Sequence, residues 1–117
     1  MKEITTIEEW EVCRSASQTK PLFIFKHSTT CPISAGAHDA VTRYIAKAGA
    51  DGPEFIMVKV IESRPVSNAI AEVLGVEHKS PQLILLKDRQ AVWSSSHYGI
   101  NDDNIAEAVK ALTKEGG

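Results

Sequence analysis

An uninterrupted apolar segment at residues 22–25, Leu-Phe-Ile-Phe, constrains the fold more than any other feature of this sequence. A strand with one exposed face alternates apolar and polar residues, whereas a strand covered on both faces is apolar throughout. Residues 22–25 therefore predict a central strand with helices on both sides. A membrane span needs roughly 18–20 apolar residues, and no apolar run in the chain approaches that length.

Capping residues and apolar residues at helical spacing predict four helices around this strand. A capping box, Thr6 with Glu9, precedes the first helix, and Gly75 ends the third. The four predicted starts lie at Thr6, at the Cys31-Pro32 step, at Ser63 and at Asn101.

Three further strands are predicted at residues 55–61, 82–87 and 91–96. The last two are joined by a tight turn and must be antiparallel, whereas a helix joins the strands at 22–25 and 55–61, which predicts a parallel pair with a right-handed crossover. The order α-β-α-β-α-β-β-α predicts an α/β fold, with a four-stranded mixed sheet flanked by helices on both faces. At 117 residues, we expect one domain over residues 1–117.

Charge and cysteine content exclude several classes of function. The net charge of −2 provides no strong field for nucleic acid or an anionic membrane, so neither is an expected partner. The start Met1-Lys2-Glu3 lacks the apolar stretch of a secretory signal, so we expect a cytoplasmic protein. Two cysteines in such a chain are expected to be reduced thiols.

Cys31 is the strongest candidate for chemistry because it lies at the predicted start of the longest helix, just after the central strand. The helix dipole and the free N–H groups of a first turn stabilise a thiolate, which is the nucleophilic form of cysteine. The polar residues Thr29 and Thr30 precede Cys31 and Pro32 follows it, a setting that favours a reactive thiol. The alternative is a small, buried, apolar cysteine.

Ser34 lies three residues after Cys31, where a two-cysteine redox motif would have its second thiol. Positions i and i+3 share a helix face, so Ser34 could donate a hydrogen bond to the thiolate; an ordinary polar residue of the first turn is the alternative. Serine cannot form a disulfide, so Cys31 would have to act through a mixed disulfide with another molecule. The Ser80-Pro81 step before a strand is a candidate cis peptide bond, with a trans proline as the alternative.

The strand–Cys–helix element and the later Pro–strand–hairpin–helix element together resemble the thioredoxin architecture. Residues 26–34, Lys-His-Ser-Thr-Thr-Cys-Pro-Ile-Ser, with Ser80-Pro81 and Ser96-His97, resemble the monothiol bacilliredoxin family, whose members are thioredoxin-like proteins of the bacillithiol system. The resemblance covers nearly the whole chain, and its most specific part is T-C-P-I-S at residues 30–34. It implies that Cys31 attacks a mixed disulfide between bacillithiol and a client protein. Bacillithiol would transfer to Cys31, and a second thiol would regenerate the enzyme.

The resemblance also implies which residues bind the thiol and the client. Thr30 and Pro32 flank the nucleophile, a cis Pro81 would lie beside it, and the backbone of Ser80 would pair with the bound thiol or client. Lys26 is similar to a lysine that binds the carboxylate of the thiol in glutaredoxins.

The implied partners are bacillithiolated client proteins, a low-molecular-weight thiol and a thiol reductase system. Bacillithiol would be a co-substrate, and no tightly bound cofactor is expected.

Other residues have two open interpretations. Cys13 is either a core residue or a resolving thiol, and His27 is either a cation that favours the thiolate or a plain loop histidine. Residues 99–103 are similar to a glycine–aspartate segment that holds glutathione in glutaredoxins, or Asn101 and Asp102 cap the last helix. None of the Cys and His spacings fits a zinc site.

Two other functions compete with the oxidoreductase. An iron–sulfur cluster carrier of the monothiol glutaredoxin type would share a cluster through Cys31 and a small thiol. Pro32 argues against it because proline stiffens a turn where those proteins usually carry glycine. In a non-catalytic thioredoxin-like adaptor, Cys31 would be incidental.

Overall fold

The computed structural model describes the backbone of residues 1–116 and the side chains of residues 1–112, so the last residue of the expected domain lies outside it. Its strands are Lys2–Glu3 (β1), Leu22–His27 (β2), Glu54–Lys59 (β3), Gln82–Lys87 (β4) and Gln90–Ser96 (β5). Its α-helices are Ile7–Ala16 (α1), Pro32–Ala48 (α2), Arg64–Leu74 (α3) and Asp102–Gly116 (α4), with short 3-10 helices at Gly49–Asp51 and His97–Gly99. Among these described helices, none has the length and apolar character that a membrane span requires.

The strands form one mixed sheet in the order β1-β3-β2-β4-β5. The predicted parallel pairing of β2 with β3 and the antiparallel β4–β5 hairpin are confirmed, and β2 is the central strand. The prediction of four strands is wrong by one, because β1 pairs in parallel with β3 through Lys2 and Glu3. Two charged residues show no strand-like alternation, so the sequence pattern contains no signal for β1.

The central strand supplies alternate residues to two separate core clusters. Leu22 and Ile24 pack with α1 and α3, whereas Phe23 and Phe25 pack with α2 and α4. All four are at most 1% exposed, which confirms the prediction of a strand covered on both faces. Burying each such side chain contributes about 1.5–3 kcal/mol, so β2 is a rigid support for the residues that follow it.

All three predicted capping residues lie at the starts of their helices, and two of them cap through the side chain. The Thr6 hydroxyl accepts the Glu9 N–H at 3.1 Å and the Glu9 carboxylate accepts the Thr6 N–H at 3.2 Å, which completes the capping box. The Asn101 side chain accepts the Asn104 N–H at 2.9 Å at the start of α4. Ser63 is the N-cap residue of α3, as predicted, and its carbonyl accepts the Ser67 N–H at 3.1 Å, but its side chain makes no capping hydrogen bond.

Candidate functional site

Cys31 is the N-cap residue of α2, as the sequence predicts. Three loop residues separate it from the end of β2. Its backbone N–H donates to the Ser28 carbonyl at 3.3 Å, and its carbonyl accepts the Ala35 N–H at 3.0 Å. The thiol is free and partly exposed. The rigid central strand and a 17-residue helix thus hold one accessible thiol at a fixed position.

The first turn of α2 leaves backbone donors close to this cysteine. The first N–H groups of a helix have no intrahelical partner, and Pro32 has no N–H at all. The Ala35 N–H bonds to Cys31, so the N–H groups of Ile33 and Ser34 remain available. These donors and the positive end of the helix dipole lie at the start of α2, the same place as the Cys31 side chain.

Ser34 is fully buried and has partners other than Cys31. Its hydroxyl accepts the Ser28 N–H at 2.9 Å and lies 2.8 Å from His27 Nδ1. Within the described side chains, no hydrogen bond joins Ser34 to Cys31. The expectation that Ser34 donates to the thiolate is therefore not supported, because its hydroxyl holds the loop that leads to Cys31.

His27 is the last residue of β2 rather than a loop residue. Burial lowers the pKa of its imidazole, and the charges of His38 and Lys59 lower it further, against a smaller opposing effect of Glu62. The His27 and His38 rings lie 5.1 Å apart. A neutral imidazole can accept the Ser34 hydroxyl proton at Nδ1, and the lowered pKa does not favour a cationic His27.

Pro81 lies just before the start of β4, next to the end of β2 that leads to Cys31. The Ser80–Pro81 peptide bond is cis, as predicted. Gln82, the next residue, pairs with Lys26 near the end of β2, so the start of β4 and the loop to Cys31 share this end of the sheet. The His97 N–H donates to the Pro81 carbonyl at 3.1 Å and ties the segment after β5 to the same place.

The side chains of Lys26 and His27 lie on opposite faces of the sheet. Lys26 is fully buried, and its Nζ donates to the Ser67 carbonyl at 3.0 Å and lies 3.3 Å from His78 Nδ1. Successive side chains of a strand point to opposite faces, so Lys26 faces α3 whereas His27 contacts α2. Burial lowers the pKa of Lys26 to about 8. The role of carboxylate ligand that the glutaredoxin likeness implies does not fit a buried ammonium whose partners lie inside the protein.

An open groove that begins at Pro32, the residue after Cys31, was not anticipated from the sequence. Its volume is about 390 Å³, and it lies between α2 and the 3-10 helix His97–Gly99. Pro32, Ile33 and Tyr98 are among its lining residues, and Tyr98 is 81% exposed. The exposed Thr30 precedes this region, with its hydroxyl 3.3 Å from the Ser28 hydroxyl. The only indication of this groove in the sequence is an aromatic residue, Tyr98, just after the strand that ends at Ser96.

Cys13 packs against the core cluster between α1, α3 and the sheet. Burial raises the pKa of its thiol, with a further effect of Glu54, which pairs with Leu22 at the start of β2. Cys31 follows the other end of β2, and five strand steps span about 16 Å. The packing of Cys13 confirms its interpretation as a core residue. A disulfide needs Cα atoms about 4.4–6.8 Å apart, so a disulfide with Cys31, and with it a resolving role for Cys13, is not supported.

The start of α4 is occupied by helix-stabilising contacts. Asn101 caps the helix, and the Asp102 carboxylate pairs with Arg43 at 3.6 Å and Lys47 at 3.8 Å. These contacts agree with the capping interpretation of residues 99–103. In the described part of the chain, no three His, Cys, Asp or Glu residues are placed to share a metal ion.

Comparisons with known proteins agree with this geometry. The sequence model of the family described as Monothiol bacilliredoxin BrxC matches residues 2–105. A thioredoxin-fold protein suspected to be an oxidoreductase is similar at 30% identity, with a TM-score of 0.83 and 92% of each chain covered. Thioredoxin from Fasciola hepatica is similar at 15% identity, with a TM-score of 0.75 and coverage of 95% of this chain and 98% of that one. Mitochondrial thioredoxin 3 from Saccharomyces cerevisiae, in its oxidised form, is similar at 20% identity, with a TM-score of 0.73 and coverage of 95% and 94%. The fold is therefore thioredoxin-like.

Proposed function

The chain belongs to the monothiol bacilliredoxin family of thioredoxin-like redox proteins, and from this premise we propose that it removes bacillithiol from S-bacillithiolated proteins. The observation that best supports this proposal is one accessible thiol at the N-terminus of α2, with a buried serine three residues later. A dithiol enzyme would release its client by forming an internal disulfide. A monothiol enzyme must instead exchange with a second external thiol.

The proposed reaction is two successive thiol–disulfide exchanges. The Cys31 thiolate attacks the bacillithiol sulfur of the client mixed disulfide, and the client sulfur leaves as a thiolate that takes a proton from solvent. A second low-molecular-weight thiolate then attacks the bacillithiol sulfur on Cys31. This step forms a low-molecular-weight disulfide and returns the Cys31 thiolate. Each exchange breaks one S–S bond and forms another, so the electrons come from the second thiol.

The residues around Cys31 have distinct roles in this proposal. Thr30 and Pro32 flank the nucleophile, and the cis Pro81 segment supplies the backbone of Ser80 for a strand-like contact with the client or thiol. Within residues 1–116, the backbone of Ser80 has no hydrogen-bond partner, which supports this assignment. The groove beside Pro32 gives space for the remainder of the bound molecule. A separate thiol reductase system would reduce the released disulfide.

Intact-protein mass spectrometry tests the first exchange directly. The reduced protein is mixed with a bacillithiolated client, and in parallel with the same client carrying glutathione. We expect the bacillithiol mass on the protein, assigned to Cys31 by peptide mapping, and a smaller yield with glutathione. Cys31→Ser should remove the adduct, and Cys13→Ser should retain it.

The other outcomes distinguish the competing functions. No adduct on Cys31 under any condition would refute the exchange reaction. Equal yields from the two clients would retain the oxidoreductase but refute a preference for bacillithiol. An absorption band of a thiolate-bound cluster after anaerobic reconstitution with iron and sulfide would favour the iron–sulfur carrier instead.

A further inference from the structure

We propose that Lys26 and Gln82 are positioning residues that fix the loop carrying Ser80 and Pro81 for binding of the client protein. This loop, residues 76–81 between α3 and β4, is called the Pro81 loop below. The inference rests on the proposed function, because it concerns how a client reaches Cys31. It assigns a role to two buried polar side chains that the exchange chemistry does not use.

Lys26 and Gln82 form a cross-strand pair. They are register partners on β2 and β4, and they are 0% and 3% exposed. Directly opposed residues of antiparallel strands have their side chains on the same face, and here that face contacts α3. Two polar side chains therefore lie together where apolar residues fill the rest of the sheet.

Both side chains reach the Pro81 loop. Gln82 Nε2 donates to the Glu77 carbonyl at 3.0 Å, and Lys26 Nζ lies 3.3 Å from His78 Nδ1. Lys26 also donates to the Ser67 carbonyl at 3.0 Å, which joins the loop to α3 as well as to the sheet. The loop is thus held at two consecutive residues, the second of which lies two residues before Ser80.

These two side chains are costly for stability, which argues that packing is not their purpose. Burying an ammonium group is expensive unless a carboxylate compensates it, and the partners of Lys26 are one carbonyl and one imidazole. Gln82 leaves its Oε1 buried without a partner among the described residues. Apolar side chains of similar size would fill this space at lower cost. The contacts with Glu77 and His78 are what such replacements would lose.

The arrangement predicts a separation between thiol reactivity and client binding. A small alkylating reagent reaches Cys31 without the Pro81 loop, whereas a protein disulfide has to pair with it. In Lys26→Met and Gln82→Leu, we expect the second-order rate with a bacillithiolated protein to fall about tenfold, mainly through KM, since one buried polar contact is worth about that much. The rate of Cys31 alkylation by iodoacetamide should remain within about twofold of wild type.

His78 provides a conservative test at an exposed position, where a folding defect is not expected. His78→Asn places an amide oxygen near the position of Nδ1 and can still accept from Lys26, whereas His78→Ala cannot. We expect His78→Asn to keep most of the client rate and His78→Ala to lose it as Lys26→Met does. Lys20→Met, at the other end of β2, is the matched control.

Hydrogen exchange of the Pro81 loop gives a readout that does not depend on activity. The Val76 N–H donates to the Ala71 carbonyl at 3.2 Å and the His97 N–H donates to the Pro81 carbonyl at 3.1 Å, one at each end of this loop. Faster exchange of these two amides in Lys26→Met and His78→Ala, but not in Lys20→Met, would support the positioning role even if the client assay failed in the wild type. Unchanged exchange, or a client rate within twofold of wild type in these variants, would overturn it. If the wild type itself does not exchange with the client, the proposed function fails and hydrogen exchange alone decides the inference.

Discussion

Ser34 Oγ lies 2.8 Å from His27 Nδ1 and accepts the Ser28 N–H at 2.9 Å, so one buried hydroxyl joins β2, the following loop and α2. A hydroxyl can accept the amide proton and donate its own to a neutral imidazole. Ser34 therefore occupies the position of a second thiol without contacting the first. Its contribution to Cys31 is to fix the loop that presents the cysteine.

Ser34→Ala should destabilise the fold while leaving the nucleophile in place. The substitution leaves the Ser28 N–H buried without a partner, which costs about 1–3 kcal/mol. Urea unfolding measures this loss in the free energy of unfolding. Thr42→Ala removes an exposed hydroxyl from the same helix and should change stability by less than about 0.5 kcal/mol. Equal losses in the two variants would contradict the structural role of Ser34.

Ser34→Cys should convert the protein from monothiol to dithiol chemistry. Residues at i and i+3 of a helix have Cβ atoms about 5–6 Å apart, and modest relaxation of the first turn of α2 can bring the sulfurs into bonding range. After bacillithiol transfer, the introduced thiol should attack the Cys31 adduct and release bacillithiol. Mass spectrometry should then show loss of two hydrogens instead of the bacillithiol mass. A stable adduct in this variant would show that the buried position cannot reach Cys31.

The sequence predicted those parts of the site that depend on local patterns. The apolar run at residues 22–25 identified the central strand, and the position of Cys31 before Pro32 identified the helix start. These features are set by neighbours in the chain, so pattern and propensity suffice.

The contacts that the sequence did not predict depend on tertiary placement. A lysine at the end of an apolar run is normally expected to reach solvent, yet Lys26 is buried because α3 and the Pro81 loop cover that face. The bond between His27 and Ser34 requires the geometry of the loop between β2 and α2. Strand β1 forms because Lys2 and Glu3 pair with β3, and a two-residue sequence pattern cannot predict such a pairing.

Cys13→Ser should reduce stability without affecting bacillithiol transfer. The side chain packs against the core beside α1, and a hydroxyl placed there replaces apolar contact, so we expect a loss of about 1 kcal/mol. The yield and rate of the Cys31 adduct should equal those of the wild type, because Cys13 packs into the core from α1 whereas Cys31 lies at the start of α2. Loss of turnover in this variant, measured with an excess of low-molecular-weight thiol, would identify Cys13 as a resolving thiol after all.

Lys26→Met should flatten the dependence of stability on pH in the alkaline range. Burial lowers the pKa of Lys26 from 10.5 to about 8, so between these values the unfolded chain binds more protons than the folded one. The free energy of unfolding must then rise with pH over this window, and the gain is lost as pH falls through the folded pKa. The difference between these two pKa values corresponds to about 3 kcal/mol in the free energy of unfolding of the wild type. Methionine does not titrate, so this contribution is absent in Lys26→Met.

Urea unfolding at pH values from 7 to about 10.5 measures the free energy of unfolding of the wild type and of Lys26→Met. All other titrating groups are the same in the two proteins, so the difference between the two curves reports on Lys26. At pH 7 we expect Lys26→Met to be at least as stable as the wild type, because methionine fills the space without a buried charge. Lys20→Met should follow the wild-type curve, since Lys20 is exposed. Parallel curves for wild type and Lys26→Met would mean that the ammonium is solvated in solution. The cost that underlies the positioning role of Lys26 would then be absent.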